Sequence, residues 1–258
     1  MQTLLGRNYK WWYVMVFNYK SAGAYVFSDF FYYLNQIIST YISIIIWSIS
    51  NRGDIADTIN YLIFGNIFLS FTLLNNHWRL GTEVFSGKFS SKYILPIDLN
   101  KYYFFNAMSY MIKVSLVTIF YIPLIFYFKN SLQFNFANLG LLLLIYPISL
   151  VIKFLYNQLI GSSVFWITNS DGVLSFSETI ATVFSGSLIP LSLLNFKLLE
   201  YTPLSYLLHH PMQIYLGKYD FNQTLMVFAG GIAWCVVLYF LAKWVFKMGL
   251  KKNEAVGL

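Results

Sequence analysis

Charge is the scarcest property of this chain: Asp, Glu, Lys and Arg together make up 10% of it, against about 25% in an ordinary soluble domain. A fold surrounded by water has no way to cover its surface with so few charges, so a soluble globular domain is excluded. The one cysteine, Cys235, rules out a disulfide framework and a thiolate metal cluster. Histidine is nearly as rare. His209 and His210 are adjacent, so on a helix their side chains diverge by about 100°, and His77 belongs to a different part of the chain; this pattern does not suit a metal site. What is abundant is apolar: 58% of the residues are hydrophobic, 21% are aromatic, and mean hydropathy is +0.59. The bilayer is the solvent that accepts such a composition.

A spanning helix needs about 20 mostly apolar residues to cross a hydrocarbon core of about 30 Å. Six stretches are predicted to cross, Val26 to Ile49, Tyr61 to Leu74, Phe104 to Phe128, Leu139 to Trp166, Phe176 to Leu194 and Thr224 to Phe246. Breaker-rich loops separate them, such as Ser50-Asn51-Arg52-Gly53-Asp54 and Asn169-Ser170-Asp171-Gly172. With the N-terminus inside, the cytoplasmic segments, together with the inner end of the last span that holds Lys243, carry eleven Lys and Arg and the outer loops four. That asymmetry places both termini in the cytoplasm, and it accounts for the net charge of +7 without a nucleic-acid partner. No internal repeat is visible, so residues 1–258 read as a single transmembrane domain.

Three segments outside the spans are distinctive. Residues 1–25 carry Leu4, Leu5, Trp11, Trp12, Met15, Val16 and Tyr19 at roughly helical spacing, with Arg7, Lys10, Asn18 and Lys20 as the polar side. That pattern suits a helix lying among lipid headgroups rather than a signal peptide. The cytoplasmic loop 75–103 begins with a short helix from His77 to Ser86, with Leu80, Val84 and Phe85 on one side, Arg79 and Glu83 on the other, and Gly87 as its stop. Such a helix is either a docking handle for a cytoplasmic partner or an ordinary solvated loop helix. Further on, Asp98 is predicted to cap the next span. The outer segment 195–223 is apolar, but Pro203 and Pro211 interrupt it, which predicts short re-entrant or capping helices.

Chemistry is sparse. Gly81 to Phe89 looks like a phosphate-binding loop, yet it has five residues between its glycines and Phe where Ser or Thr holds magnesium. The chain thus has no recognisable ATP site and no catalytic residues. The first span carries a polar stripe of Tyr32, Gln36, Ser39, Thr40 and Ser43, which either lines a substrate route or binds a neighbouring helix. Lys113 and Lys153 fall inside spans, where an ammonium is expensive and marks a functional site by default. Lys113 is close enough to the inner end to snorkel. Lys153, beside Tyr156 and Asn157, is predicted to face a polar cavity. Glu178 and Asp171 are predicted more than two turns away, so a carboxylate for Lys153 is expected from a second chain or from the substrate.

These features together resemble the membrane permease subunits of type-2 ABC exporters, in particular the six-span bacterial permeases that work with a separate ATPase. The likeness rests on Glu83-Val84-Phe85-Ser86-Gly87 through Leu95-Pro96-Ile97, on Gly161-Ser162-Ser163-Val164-Phe165-Trp166, on Ser185-Gly186-Ser187-Leu188-Ile189-Pro190-Leu191, and on Pro203-Leu204 with Pro211 and Leu216-Gly217. It implies an all-α membrane protein of six spans in the bacterial cytoplasmic membrane, with an N-terminal connecting helix, a coupling helix in the first cytoplasmic loop and a broken outer segment. It also implies a second permease, identical or a related paralogue, and cytoplasmic ABC ATPase subunits docked near Arg79, Leu80, Glu83, Val84 and Phe85. ATP and magnesium would bind those subunits, with none held by this chain. The expected activity is export of an amphipathic drug, peptide or lipid-like molecule past Tyr32, Gln36, Ser39, Thr40, Ser43, Lys153 and Asn157. A polytopic enzyme acting on lipid and a secondary transporter are the alternatives. The former needs a clustered acid, base or metal set, and the latter needs acidic residues within the spans.

Overall fold

The computed structural model describes residues 11–19, 26–49, 55–94, 96–167, 171–194 and 197–257, with side chains described for all but 26–29 and 253–257. Every regular element among them is helical. The order is α1 (11–19), α2 (Val26–Ile49), α3 (Ile55–Ser70), α4 (Asn76–Phe85), α5 (Lys88–Tyr93), α6 (Leu99–Ser115), α7 (Ile122–Tyr127), α8 (Phe136–Ser162), α9 (Asp171–Ser185), α10 (His209–Tyr215) and α11 (Phe221–Gly257). Short 3-10 turns join several of them, at Leu116–Tyr121, Ser163–Phe165, Lys197–Tyr201 and Pro203–Leu207.

Among the described residues, four helical stretches are long and apolar enough to cross a membrane, Phe30–Ile49, Leu99–Tyr127, Phe136–Phe165 and Phe221–Lys252. They match the predicted first, third, fourth and sixth spans. The other two predicted spans are shorter helices: α3 has 16 residues and α9 has 15. At about 1.5 Å per residue each reaches about 23 Å, less than a hydrocarbon core of about 30 Å. The predicted span ending at Leu194 stops at Ser185, where Gly186 takes a left-handed φ of 83° and the chain turns. Leu99–Tyr127 is continuous but tightens into a 3-10 turn at Leu116–Tyr121, just before Pro123 in the first turn of α7.

The bundle is organised around α8, which packs against α11, α4, α10 and the 3-10 turn Pro203–Leu207. At one end Leu80, Phe89, Tyr103, Phe165 and Phe246 form an aromatic-rich cluster, and Trp11 of α1 stacks on Phe105 at 5.7 Å. Helix α1, the α4–α5 region and the later turns of α11 therefore gather at a common end. The opposite end gathers the start of α3, residues 131–138 and the end of α10. There Asn60 Nδ2 donates to the Ser131 carbonyl at 3.0 Å, and Asn138 Nδ2 donates to the Tyr215 carbonyl at 3.3 Å. Of the predicted N-terminal pattern, Leu4, Leu5, Arg7, Lys10 and Lys20 lie outside the described residues.

The later part of the segment after α9 is buried, although Leu198 and Tyr201 before it are exposed. Leu204, Tyr206, Leu207 and Leu208 and nearly all of α10 are withdrawn from solvent. Ser149 Oγ of α8 donates to the Tyr206 carbonyl at 2.7 Å, and Trp234 Nε1 of α11 donates to the Tyr201 carbonyl at 3.0 Å. Those bonds satisfy irregular backbone that lipid could not.

Two buried charges and a polar cavity

Helix α4 is held to the bundle by its own polar residues. Asn157 Nδ2 of α8 donates to the Leu74 carbonyl at 2.7 Å and to Asn76 Oδ1 at 3.2 Å. Gly161 lies where α8 crosses α4, and a Cβ there would come within 2.9 Å of the His77 Cα. Only a glycine permits that approach. Gly87, with φ of 73°, ends the α4 region and lets α5 begin.

Glu83 is the hub of this junction. One carboxylate oxygen, Oε1, accepts from both Arg79 and Lys92, and Oε2 accepts from the Tyr103 hydroxyl at 2.9 Å. Lys92 also donates to the Tyr102 hydroxyl at 2.7 Å and lies 4.3 Å from that ring's centroid. A carboxylate with these partners has its lone pairs occupied and its charge balanced, which is what burial of a charge requires. The placement corrects the expected two-sided helix. Leu80 and Glu83 both face the protein, Val84 is half-buried, and the exposed edge consists of Arg79, Thr82 and Phe85, the last 77% exposed. Gly81, the first glycine of the phosphate-loop look-alike, lies buried within α4 and belongs to no loop.

A cavity of about 640 Å³ opens beside this junction, among α2, α3, α8 and α9. Tyr32 and Gln36 of α2 line it, with Trp78 of α4, Tyr110 of α6, Lys153 of α8 and Glu178 of α9. Three members of the predicted route are thus brought together, Tyr32, Gln36 and Lys153. Four are not. Thr40 is buried and shares a hydrogen bond of 3.0 Å with the Tyr121 hydroxyl, so it ties α2 to its neighbour. Ser39 and Ser43 lie on a different part of α2, where the Ser43 hydroxyl donates to the Ser39 carbonyl at 2.8 Å. Asn157 is the α4 anchor already described. The stripe on α2 therefore divides into packing and cavity residues, as side-chain neighbours that are invisible in one helix decide.

Lys153 is 9% exposed, and no hydrogen bond or ion pair within 4 Å joins its ammonium to a described residue. Its nearest aromatic neighbour is the Tyr156 ring, 6.0 Å from Nζ to centroid. The expectation that no carboxylate of this chain comes near is corrected by Glu178, which lines the same cavity and interacts with Lys153 electrostatically. Packing of α9 against α8 brings it there, fastened by the Tyr156 hydroxyl, which donates to the Ser177 carbonyl at 2.9 Å. Glu178 also reaches α4: its Oε1 accepts from Trp78 Nε1 at 2.8 Å and lies 3.0 Å from His77 Nε2. Burial holds the His77 imidazole below its ordinary pKa, the Glu178 hydrogen bond opposing and the nearby Lys153 charge assisting. Among the described residues no group of three His, Cys, Asp or Glu is placed to hold a metal.

The family model described as ABC-2 family transporter protein matches residues 12–257, nearly the whole chain. The chain belongs to that family. It is a multi-pass membrane protein and the permease part of an ABC transporter, a kind of subunit that pairs with an ABC ATPase. No curated protein and no solved structure matches it. In the permease, α4 occupies the place where the resemblance puts a coupling helix. Glu178, Trp78 and Tyr110 are among the cavity residues that sequence reasoning missed. An acidic residue in an apolar helix was the available signal for Glu178; Tyr110 gave none.

Proposed function

We propose that the permease is the membrane subunit of an exporter and docks its ATPase through the exposed edge of α4. The observation that carries this reading is the contrast within one short helix. Its inner side is fixed by Glu83, Leu80 and the Asn76–Asn157 bond, while Phe85 projects outward with nothing described to cover it. A large ring exposed on an otherwise anchored helix suits a partner's pocket, and the anchors transmit movement from that pocket into α8. In this reading the chain crosses six times, with α3 and α9 completing two of the crossings through their flanks. Residues 1–258 form one transmembrane domain; α1 lies in the headgroup plane; both termini and residues 75–103 are in the bacterial cytoplasm. Two permeases, identical or paralogous, enclose the path. Two ATPase subunits bind ATP and magnesium, and their closure drives an amphipathic molecule outward.

The topology is tested with single cysteines at Ser90 and Asn222, the first partly exposed and the second exposed. An impermeant maleimide added outside intact cells should label Asn222→Cys alone, and labelling of both would overturn the orientation. Docking is tested by co-purification of the ATPase, which Phe85→Ala should reduce at least tenfold without changing permease yield.

A further inference from the structure

The cavity holds one charge of each sign, and neither is neutralised by the other at contact distance. Lys153 lies on the α8 wall with no hydrogen-bond or ion-pair partner among the described residues. Glu178 lies on the α9 wall and is 48% exposed in its side chain; Oε1 is occupied by Trp78 and His77, while Oε2 accepts no hydrogen bond from a described residue. Other walls of the cavity carry apolar surface, from Leu69 of α3, Val114 of α6 and Leu207. We propose that this cavity binds a zwitterionic amphiphile, whose phosphate or carboxylate meets Lys153, whose ammonium meets Glu178, and whose short apolar stem lies along the apolar wall. The assignment rests on the reading of the chain as a transport subunit.

Charge logic selects this class. A purely anionic ligand gains at Lys153 but meets the Glu178 carboxylate, and a purely cationic ligand meets the converse. Only a ligand with both signs relieves the uncompensated ammonium without creating a new uncompensated charge. The aromatic residues add to this, because Trp78 and Tyr32 line the cavity and rings of this kind attract a quaternary or primary ammonium. Size agrees as well: a volume of about 640 Å³ lies within the range of about 300–1,000 Å³ typical of small-molecule sites. It suits a headgroup and part of a chain, and it is too small for a folded peptide.

Occupancy would also be felt at the ATPase-docking helix. The carboxylate that meets the ligand's ammonium is the one that holds His77 and Trp78 of α4, so ligand and helix share Glu178.

The test is equilibrium binding by calorimetry to the purified full-length permease in a maltoside detergent. Four probes are used: hexylphosphocholine, hexyl phosphate, hexyltrimethylammonium and phosphocholine without a chain. Hexylphosphocholine should bind at least tenfold more tightly than each of the others. Lys153→Met should lower its affinity at least tenfold, whereas Lys153→Arg, which keeps the charge, should retain most of it. Glu178→Gln keeps acceptors for Trp78 and His77, and it should abolish the preference over hexyl phosphate while leaving thermal unfolding unchanged. Equal affinity for the three hexyl probes would overturn the proposal, as would unaltered hexylphosphocholine binding by Lys153→Met. Equal binding of phosphocholine would overturn the amphiphile assignment. Because the readout is binding, it separates this proposal from the export reading: a selective site in a permease that moves nothing would sink export alone.

Discussion

Glu83 and Lys153 are both ionisable side chains withdrawn from solvent, 3% and 9% exposed, and their surroundings differ in kind. Around Glu83 the protein supplies a guanidinium, an ammonium and a hydroxyl, so the charge is consumed in fastening α4 to α5 and α6. Around Lys153 it supplies a cavity, a carboxylate that lies beyond ion-pair distance in the same lining, and a tyrosine ring. A buried charge with all its partners in place is a structural fastener. One that lines a cavity with its counter-charge beyond ion-pair distance is arranged for something that enters. Burial alone does not distinguish them; the partner set does.

Removing the fastener should have the largest effect on folding. Glu83→Gln strands Arg79 and Lys92 in a half-buried setting, and loss of one member of a buried ionic network costs about 3 kcal/mol or more. Chemical unfolding in detergent should show that loss, and a midpoint equal to the wild type would place Glu83 with ordinary surface pairs. Gly161→Ala should come next, at about 1–3 kcal/mol, because the new methyl meets the His77 backbone and forces α4 away from α8.

Acid should destabilise the far end of the bundle more gently. His209 and His210 are 2% and 6% exposed, and burial pushes their pKa values from 6.5 down to about 3 and about 4. The facing groups are Glu200 and Tyr219: His210 Nδ1 is 2.9 Å from the Tyr219 hydroxyl, and His209 Nε2 is 4.0 Å from Glu200 Oε1. Since the unfolded chain takes up protons that the folded histidines refuse, stability is full above about pH 6.5 and falls progressively as pH drops toward the folded values. The unfolding midpoint measured at pH 7.5, 6.5 and 5.5 should decline over the last step, and His209→Gln should flatten that decline. Phe85→Ala should change stability by no more than about 0.5 kcal/mol, as for other exposed positions. Lys153→Met should have the smallest effect or a slightly stabilising one, because it removes an unpaired charge and keeps the apolar stem.

Much of the architecture was legible in the residues. The helix expected from His77 to Ser86 is Asn76–Phe85, Gly87 ends it with a positive φ, and the Asp98 side chain caps α6 by accepting from the Lys101 amide at 3.1 Å. Each is a local signal within a few residues. The four long spans were legible for the same reason, since composition over about 20 residues decides them. What was not legible depends on which helices meet. Nothing near Glu83 in sequence shows that Tyr103 will reach its second oxygen, or that Lys92 will fold back onto the first. Periodicity put Glu83 on a polar face and therefore in solvent. Counting turns along the chain likewise separated Glu178 from Lys153, because their proximity comes from the packing of α9 beside α8 rather than from spacing within either. Thr40 and Asn157 are expected on the substrate route because they are polar residues in apolar helices, and the partners that make them packing residues instead come from other elements.

The contrast between the two charges is tested most directly by ATP hydrolysis in the permease–ATPase complex, measured with and without hexylphosphocholine, for the wild type and for Lys153→Met. The zwitterion is expected to stimulate the wild type and not the variant, each complex compared with its own hydrolysis without the zwitterion. Stimulation of the Lys153→Met complex to the wild-type level would contradict this and return Lys153 to the class of structural charges to which Glu83 belongs.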